Sequence, residues 1–214
     1  MTNPKSNEIK GLTGLSNLGN TCFLNSCMQV LSNIKELNEI LDNKSHIINS
    51  TKQNIDKKLI KEWVDLHTLM WSKNCIISPG RFVKTVQSVA KEKDRDLFTG
   101  YAQNDLPEFL LFFMDSLHNA MKTTNVTMTI KGAAKNNTDI LAKNCYGMMK
   151  DMYEKEYSPL YDLFYGISVT IINSKTKNET LSCKPEPYMT IDLAIPKKQN
   201  ITLIDCFNEF CKFE

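Results

Sequence analysis

The cysteine at position 22 lies where a turn meets a helix, a setting that suits nucleophilic chemistry. Gly19 and Asn20 form turns readily, and the apolar residues that follow recur at steps of three and four, so we expect a helix to start near Thr21 or Cys22. Cysteine attacks as the thiolate, and the unpaired N–H groups in the first turn of a helix stabilise an anion. Cys22 is therefore a candidate nucleophile, although the position alone is more typical of a buried structural cysteine.

Acyl transfer also needs hydrogen-bond donors for the oxyanion that develops during attack. A turn containing glycine lets backbone N–H groups approach closely, and the side-chain amide of Asn17 precedes Cys22 by five residues. A second cysteine, Cys27, falls on the apolar stripe of the same predicted helix together with Leu24 and Leu31. The sequence thus favours Cys22 for chemistry and Cys27 for the core.

Helical periodicity dominates the chain up to about residue 121. We expect one helix to carry the apolar positions of Ile60–Met70. Another should begin with Ser78 as its N-cap and Pro79 as its first helical residue. The most strongly apolar helix follows Asn104 or Asp105, either of which can cap it.

The pattern changes in the second half of the chain. Residues 122–157 are polar and rich in Lys and Asn, which predicts an insertion or loop. Strands are predicted over 166–172 and 188–194, and Thr202 is expected to cap a last short helix. Helices first and strands second indicate an α+β fold.

Two motifs stand out in the first half of the chain, GLSNLGNTCFLNS at 14–26 and YAQNDLPEFL at 101–110. They resemble the cysteine box GLxNxGNTCYxNS and the QQDAxEF segment of the ubiquitin-specific proteases, or ubiquitin carboxyl-terminal hydrolases. In the second motif, Asn104 replaces a Gln and Leu106 replaces the Ala. DLFYG at 162–166 and EPYMTIDLAIP at 186–196 are similar to two strands of the family. The likeness is collinear over roughly residues 11–214.

The resemblance implies a papain-like α+β cysteine peptidase fold, present here in part. A flexible N-terminus would occupy residues 1–10, and a helical, thumb-like part would span about 11–121. The Lys/Asn-rich insertion would cover about 122–157, and the beginning of an antiparallel fingers and palm region about 158–214. The implied activity is hydrolysis of the bond after the C-terminal glycine of ubiquitin, with ubiquitin or ubiquitinated proteins as partners.

The resemblance also assigns roles to individual residues. Cys22 matches the nucleophile, and Asn17 matches the side chain that donates to the oxyanion. Gln103 and Asp105, with Asn104 between them, match residues beside the channel for the C-terminal tail of ubiquitin. For Gln103 and Asp105, helix capping is an equally good interpretation.

The general base of the family is a histidine in a later segment, and none of the three histidines of this chain lies in such a segment. His46 falls in a polar stretch, His67 shares a helix face with Trp63, and His118 lies on the helix after the QQDAxEF-like segment. A fragment of a longer enzyme and a naturally short form both remain open. So do a non-catalytic ubiquitin-binding module and a generic α+β protein with a buried Cys22.

Composition argues against several other functions. The 26 basic and 24 acidic residues nearly balance at a net charge of +2 and are scattered, so we expect neither nucleic acid nor a membrane surface as a partner. No apolar run approaches the roughly 18 residues of a transmembrane helix. The seven cysteines form no CxxC pair and the polar start carries no export signal, which predicts free thiols in the cytoplasm or nucleus. Cys183 stands alone where many relatives carry zinc-binding pairs, so we expect neither zinc nor another cofactor.

Overall fold

The computed structural model describes residues 10–43, 54–176 and 179–212. The chain forms two compact units: the first contains the described residues up to Val126 together with Tyr153–Leu163, and the second contains Thr127–Met152 and the described residues from Phe164 onward. Nearly all of the N-terminus expected over 1–10 lies outside the described residues, as does His46.

The first unit is mainly helical, as the periodicity predicted. Its long helices, in chain order, are α1 (Cys22–Ser32), α2 (Lys35–Asn43), α3 (Ile55–Met70), α4 (Gly80–Glu92) and α5 (Leu106–Met121). A short 3-10 helix over Asp96–Phe98 precedes α5. The predicted start of α1 at Thr21 or Cys22 is confirmed.

Two helix starts differ in detail from the prediction. Pro79, and not Ser78, holds the N-cap position of α4, because the Val83 N–H already bonds to the Pro79 carbonyl and Gly80 is the first helical residue. Asp105 does hold the N-cap position of α5, but its side chain makes no capping hydrogen bond. The expected side-chain capping at these two helices is therefore wrong.

A cluster of aromatic rings forms the centre of the first unit. Trp63 of α3, Phe82 of α4 and Phe113 of α5 are fully buried, with ring centroids 6.0 to 6.1 Å apart. Phe23 of α1 meets the edge of Phe109 of α5 at 5.3 Å. Large buried rings contribute most of the contact area in a small core, so this cluster holds the start of α1 against the first turns of α5.

A short parallel pair of strands holds the segment that leads into α1. Strand β1 (Gly14–Leu15) pairs with β2 (Ile76–Ile77), and the Gly14 N–H donates to the Cys75 carbonyl at 2.9 Å. The Ser16 N–H donates to the Ile77 carbonyl, also at 2.9 Å. These backbone bonds fix the position of Ser16, which directly precedes the turn that contains Asn17.

The second unit contains most of α6 (Asn137–Lys155), the antiparallel strands β3 (Gly166–Asn173) and β4 (Thr180–Tyr188), and α8 (Leu203–Phe210). The strand expected at 166–172 is confirmed as β3. The cap expected at Thr202 is also confirmed, because its side chain and Asp205 form a reciprocal capping box.

The prediction of a strand over 188–194 is wrong. Tyr188 is the last residue of β4 and pairs with Gly166, the first residue of β3. In the described part of the chain no strand lies beside 189–195 to complete its hydrogen bonds, and these residues are irregular. Alternating apolar residues favour a strand only where a neighbouring strand is present.

The prediction of a loop within 122–157 is wrong for Asn137–Lys155, which form the helix α6. The Asn136 side chain accepts the Asp139 N–H at 2.8 Å and so caps the helix, and the Asp139 side chain accepts the Lys135 N–H at 2.8 Å. Tyr153 is the buried residue of α6. Because the rest of the helix is not buried, its polar composition resembled that of a loop. Whether 122–157 is an insertion stays a prediction.

The motif DLFYG also differs from expectation, because Asp162 and Phe164 lie in a short helix, α7 (Pro159–Phe164), and the strand starts only at Gly166.

Among the described residues, no helix is both long and apolar enough to cross a bilayer.

Candidate active site

Cys22 is exposed and is the first residue of α1. No side chain caps this helix, so the N–H groups of its first turn remain available to an anion. Cys27, one turn further on, is buried, and its burial raises the pKa of the thiol to about 12. The two cysteines therefore differ as expected, and the interpretation of Cys22 as a buried structural residue is wrong.

The turn before Cys22, here called the Cys22 turn (residues 17–21), has an unusual backbone. Gly19 and Asn20 both have positive φ angles, of 106° and 53°. Glycine adopts this conformation freely and asparagine tolerates it better than most residues. Two such residues in succession reverse the chain within the Cys22 turn and bring Asn17 back beside Thr21.

The Asn17 amide has a defined orientation. Its Oδ1 accepts the N–H of Gly19 at 3.0 Å, the N–H of Thr21 at 3.1 Å and the Thr21 hydroxyl at 3.1 Å. Backbone N–H groups can only donate, so the atom facing them must be the oxygen, and the NH2 group points the other way. Within the described residues that NH2 group has no hydrogen-bond partner, and Asn17 is exposed. The amide can therefore donate to a ligand.

A second segment lies against the Cys22 turn and is here called the 99–104 loop. The Asn20 side chain donates to the Tyr101 carbonyl at 2.9 Å, and the Gln87 side chain of α4 donates to the Gly100 carbonyl at 3.1 Å. Asn104 is half-buried and donates to the Ala102 carbonyl at 3.1 Å. The loop is thus held from both sides through its backbone carbonyls.

The three residues predicted to bind substrate lie at the end of this loop and the start of α5. Asn104 lines a small pocket beside the Cys22 turn, and the side chains of Gln103 and Asp105 are exposed. In the described part of the chain neither exposed side chain forms a hydrogen bond. The side chains of Gln103 and Asp105 therefore do not cap α5, as the capping interpretation required. The pocket is lined by Gly19, Asn20, Thr21, Phe23, Val83, Val86, Gln87, Phe98, Gly100, Tyr101, Ala102 and Asn104.

The two described histidines are engaged elsewhere. His67 bonds to the Ser32 carbonyl at 3.3 Å and packs near Trp63 and Trp71, and burial lowers its pKa. His118 bonds to Ser158 at 2.9 Å and lies on α5 nine residues after Phe109, the residue that meets the start of α1. Nine residues of helix span about 13 Å. Neither histidine is placed to deprotonate Cys22.

The described residues contain no cluster of three His, Cys, Asp or Glu side chains that could hold a metal ion. The arrangement around Cys22 is instead that of an accessible thiol beside oriented donors. Nothing in the described structure supplies its general base.

Several contributors to this site were not assigned from the sequence. Thr21 and Asn20 lie inside the cysteine-box motif, and their roles depend on which atoms the turn brings together. The contact of Gln87 with Gly100 left no signal in the sequence, because it depends on how α4 packs beside the 99–104 loop.

Comparison with known proteins gives a consistent result. Residues 13–203 match the family model described as "Ubiquitin carboxyl-terminal hydrolase". The chain is 34% identical over 216 residues to human "Ubiquitin carboxyl-terminal hydrolase 2", an alignment that covers 97% of this chain and 34% of the relative. It is 30% identical over 213 residues to Drosophila melanogaster "Ubiquitin carboxyl-terminal hydrolase Usp2", covering 98% of this chain and 21% of the relative. The chain thus spans about a third or less of these relatives.

Solved structures share the fold. The SAGA Ubp8/Sgf11/Sus1/Sgf73 DUB module bound to monoubiquitin matches with a TM-score of 0.63 and 18% identity, over 95% of this chain and 39% of that one. The same module bound to ubiquitin aldehyde matches with a TM-score of 0.60 and 20% identity, over 95% and 39%. This likeness confirms the papain-like α+β fold that the motifs implied.

Proposed function

The chain belongs to the ubiquitin carboxyl-terminal hydrolase family, and from this premise we propose that it carries the nucleophilic part of a deubiquitinating cysteine protease. The bond cleaved is the one after the C-terminal glycine of ubiquitin in conjugates. The observation that carries the proposal is the exposed Cys22 at the uncapped start of α1, five residues after Asn17, whose amide donor is oriented.

Cys22 has the role of the nucleophile. Its thiolate attacks the glycine carbonyl carbon and forms a tetrahedral intermediate with a negative oxygen. The C–N bond then breaks, the amine leaves with a proton, and a thioester joins ubiquitin to Cys22. Water hydrolyses the thioester and releases the carboxylate and the thiol. In this proposal, the base that takes the Cys22 proton comes from outside the described residues.

Asn17 and the first-turn N–H groups of α1 have the role of oxyanion donors. The fixed direction of the Asn17 amide supports this role, because a donor that is already oriented costs no reorganisation during the reaction. Gln103, Asn104 and Asp105 are proposed to lie along the path of the ubiquitin tail, beside the Cys22 turn.

The proposed partner is ubiquitin or a ubiquitinated protein. It is supported by the family and by the ubiquitin that accompanies the related SAGA DUB modules. The proposal includes neither a metal nor a cofactor, and neither nucleic acid nor membrane as a partner. All seven cysteines are free, which supports a location in the reducing cytoplasm or nucleus.

Labelling by a ubiquitin derivative with an electrophilic alkyne at its C-terminus tests the proposal on the intact gene product. We expect one covalent adduct, located at Cys22 by peptide mass spectrometry. Cys22→Ser should abolish the adduct. Cys75→Ser is the matched control because Cys75 is also exposed, and this variant should be labelled as efficiently as the wild type.

Two outcomes would contradict the proposal. One is labelling that survives Cys22→Ser. The other is reversible ubiquitin binding with no adduct in the wild-type protein, which would favour a non-catalytic ubiquitin-binding module.

A further inference from the structure

The Thr21 side chain occupies a central place in the Cys22 turn. Thr21 is 5% exposed, although its hydroxyl is polar and the residue directly precedes the exposed Cys22. Its Oγ1 is 3.0 Å from the Leu18 nitrogen and 3.1 Å from Asn17 Oδ1. A buried polar group normally has at least one hydrogen-bond partner, and this hydroxyl has two.

The direction of both hydrogen bonds follows from the atoms involved. The Leu18 N–H can only donate, so Thr21 Oγ1 accepts there. The hydroxyl has one proton, and Asn17 Oδ1 can only accept, so that proton goes to Asn17. The result is a directed chain from the Leu18 N–H through the Thr21 hydroxyl to the Asn17 amide oxygen.

Thr21 does not use this hydroxyl to cap α1. Thr21 holds the N-cap position of the helix, where a threonine side chain commonly accepts an N–H from the first turn. Here no such bond forms, and the hydroxyl faces back into the Cys22 turn. Its bonds therefore orient Asn17 and leave the first-turn N–H groups open.

We propose that Thr21 is the positioning residue for the oxyanion donor: its hydroxyl and its N–H together hold the Asn17 amide with the NH2 group directed away from the turn. This inference rests on the proposed function, in which Asn17 donates to the oxyanion. In this role Thr21 acts through Asn17.

This role predicts a specific kinetic effect. The oxyanion exists only near the transition state, so a misoriented Asn17 amide lowers kcat and leaves KM almost unchanged. In Thr21→Val, one of the three groups that donate to the Asn17 amide oxygen is replaced by a methyl group of similar size, and only the N–H groups of Gly19 and Thr21 still hold the amide. If the correct orientation falls to about a tenth of molecules, kcat falls about tenfold.

The test measures kcat and KM of the intact gene product on ubiquitin with a fluorogenic C-terminal amide. Thr21→Val and Thr21→Ala, two variants without the hydroxyl, should each lower kcat about tenfold with KM within about twofold. Thr21→Ser keeps the hydroxyl and should retain wild-type kcat. Alkylation of Cys22 by iodoacetamide should proceed at the wild-type rate in all three, because the thiol and its helix start are unchanged.

A double-mutant cycle separates positioning from a general structural role. In an Asn17→Ala background there is no amide left to orient, so Thr21→Val should cause no further loss of kcat. An equal loss in both backgrounds would overturn the inference, and so would a loss in Thr21→Ser as large as that in Thr21→Val. A wild-type protein that does not hydrolyse the substrate would overturn the proposed function itself, and the role of Thr21 with it.

Discussion

At the scale of single residues, position within the turn and helix decides what each side chain can do. Cys22 and Cys27 have the same chemistry and lie on the same helix, yet one is exposed at its first residue and the other is buried. Asn17 is an exposed asparagine whose oxygen accepts three hydrogen bonds. Although Asn17 is exposed, these three bonds hold its NH2 group in one direction.

Asn17→Asp tests the amide at this scale. A carboxylate can still accept the N–H groups of Gly19 and Thr21 and the Thr21 hydroxyl, so the Cys22 turn should keep its conformation. It has no donor for the oxyanion, and kcat should fall by about 10²–10³, the typical effect of losing one oxyanion donor. The measurement is kcat on a ubiquitin C-terminal amide, with thermal unfolding of the same sample as the control.

Two results would disagree with this interpretation of Asn17. The first is activity of Asn17→Asp within about threefold of wild type, since one oxyanion donor is worth far more than that. The second is a loss of kcat accompanied by a large loss of thermal stability, which would mean that the substitution disturbed the turn.

At the scale of elements, the site depends on how α1 and α5 meet. Phe23 and Phe109 join the two helices in the core, and the bond from Asn20 to the Tyr101 carbonyl joins the loops before them. The ring contact holds the helices, while the hydrogen bond holds the 99–104 loop against the Cys22 turn. The loop leads into the residues proposed to bind the ubiquitin tail.

Asn20→Asp tests the connection between these two loops. Aspartate tolerates the positive φ of Asn20 but cannot donate to the Tyr101 carbonyl, and its charge faces that oxygen. We expect the rate of labelling by the ubiquitin alkyne to fall about tenfold, corresponding to a lost bond of about 1.4 kcal/mol. Alkylation of Cys22 by iodoacetamide should not change.

Asn33→Asp is the matched control for this substitution. Asn33 lies at the other end of α1 and its side chain also donates to a carbonyl, that of Gln29. Its replacement should leave both rates unchanged. Equal slowing by the ubiquitin alkyne and by iodoacetamide in Asn20→Asp would show an effect on the thiol and would contradict a role in the loop.

At the scale of the whole molecule, the chain leaves the first unit after Val126 and returns to it at Tyr153–Leu163. The returning segment is bound through Ser158, which meets His118 of α5 at 2.9 Å, and through paired backbone bonds between Thr123 and Tyr157. Within it, the hydroxyls of Tyr153 and Tyr157 both donate to the Asp162 carboxylate, that of Tyr153 at 2.6 Å. Burial and the bond to Asp162 raise the pKa of Tyr157 to about 12, so its hydroxyl is a donor at neutral pH.

Asp162→Asn should weaken this closure of the first unit. An amide has one acceptor oxygen, so one of the two tyrosine hydroxyls loses its carboxylate partner and faces an NH2 group. Because Asp162 is exposed and water screens its charge, we expect a loss of about 1 kcal/mol in the free energy of unfolding, measured by urea denaturation at neutral pH. Asp151→Asn, at an exposed position of α6, is the control and should change stability by less than about 0.5 kcal/mol. Equal effects of the two substitutions would contradict a special role for Asp162.

The sequence by itself determined the features that depend on near neighbours. The start of α1, the buried face of α3 and the cap at Thr202 all followed from turn residues, caps and helical spacing. The family motifs then identified the fold, because they extend along most of the chain. Local interactions can be inferred from sequence because both partners lie within a turn or two of one another.

Only the tertiary structure decided the features whose partners are distant or whose atoms must be oriented. The strand predicted at 188–194 has no neighbour within the described residues, while Asn20 finds the Tyr101 carbonyl 81 residues away. The sequence placed Asn17 near Cys22, but the direction of its amide depends on three donors brought together by two positive φ angles. Residue types and spacing do not specify which way a side chain faces, since that direction depends on the positions of atoms that the folded backbone supplies.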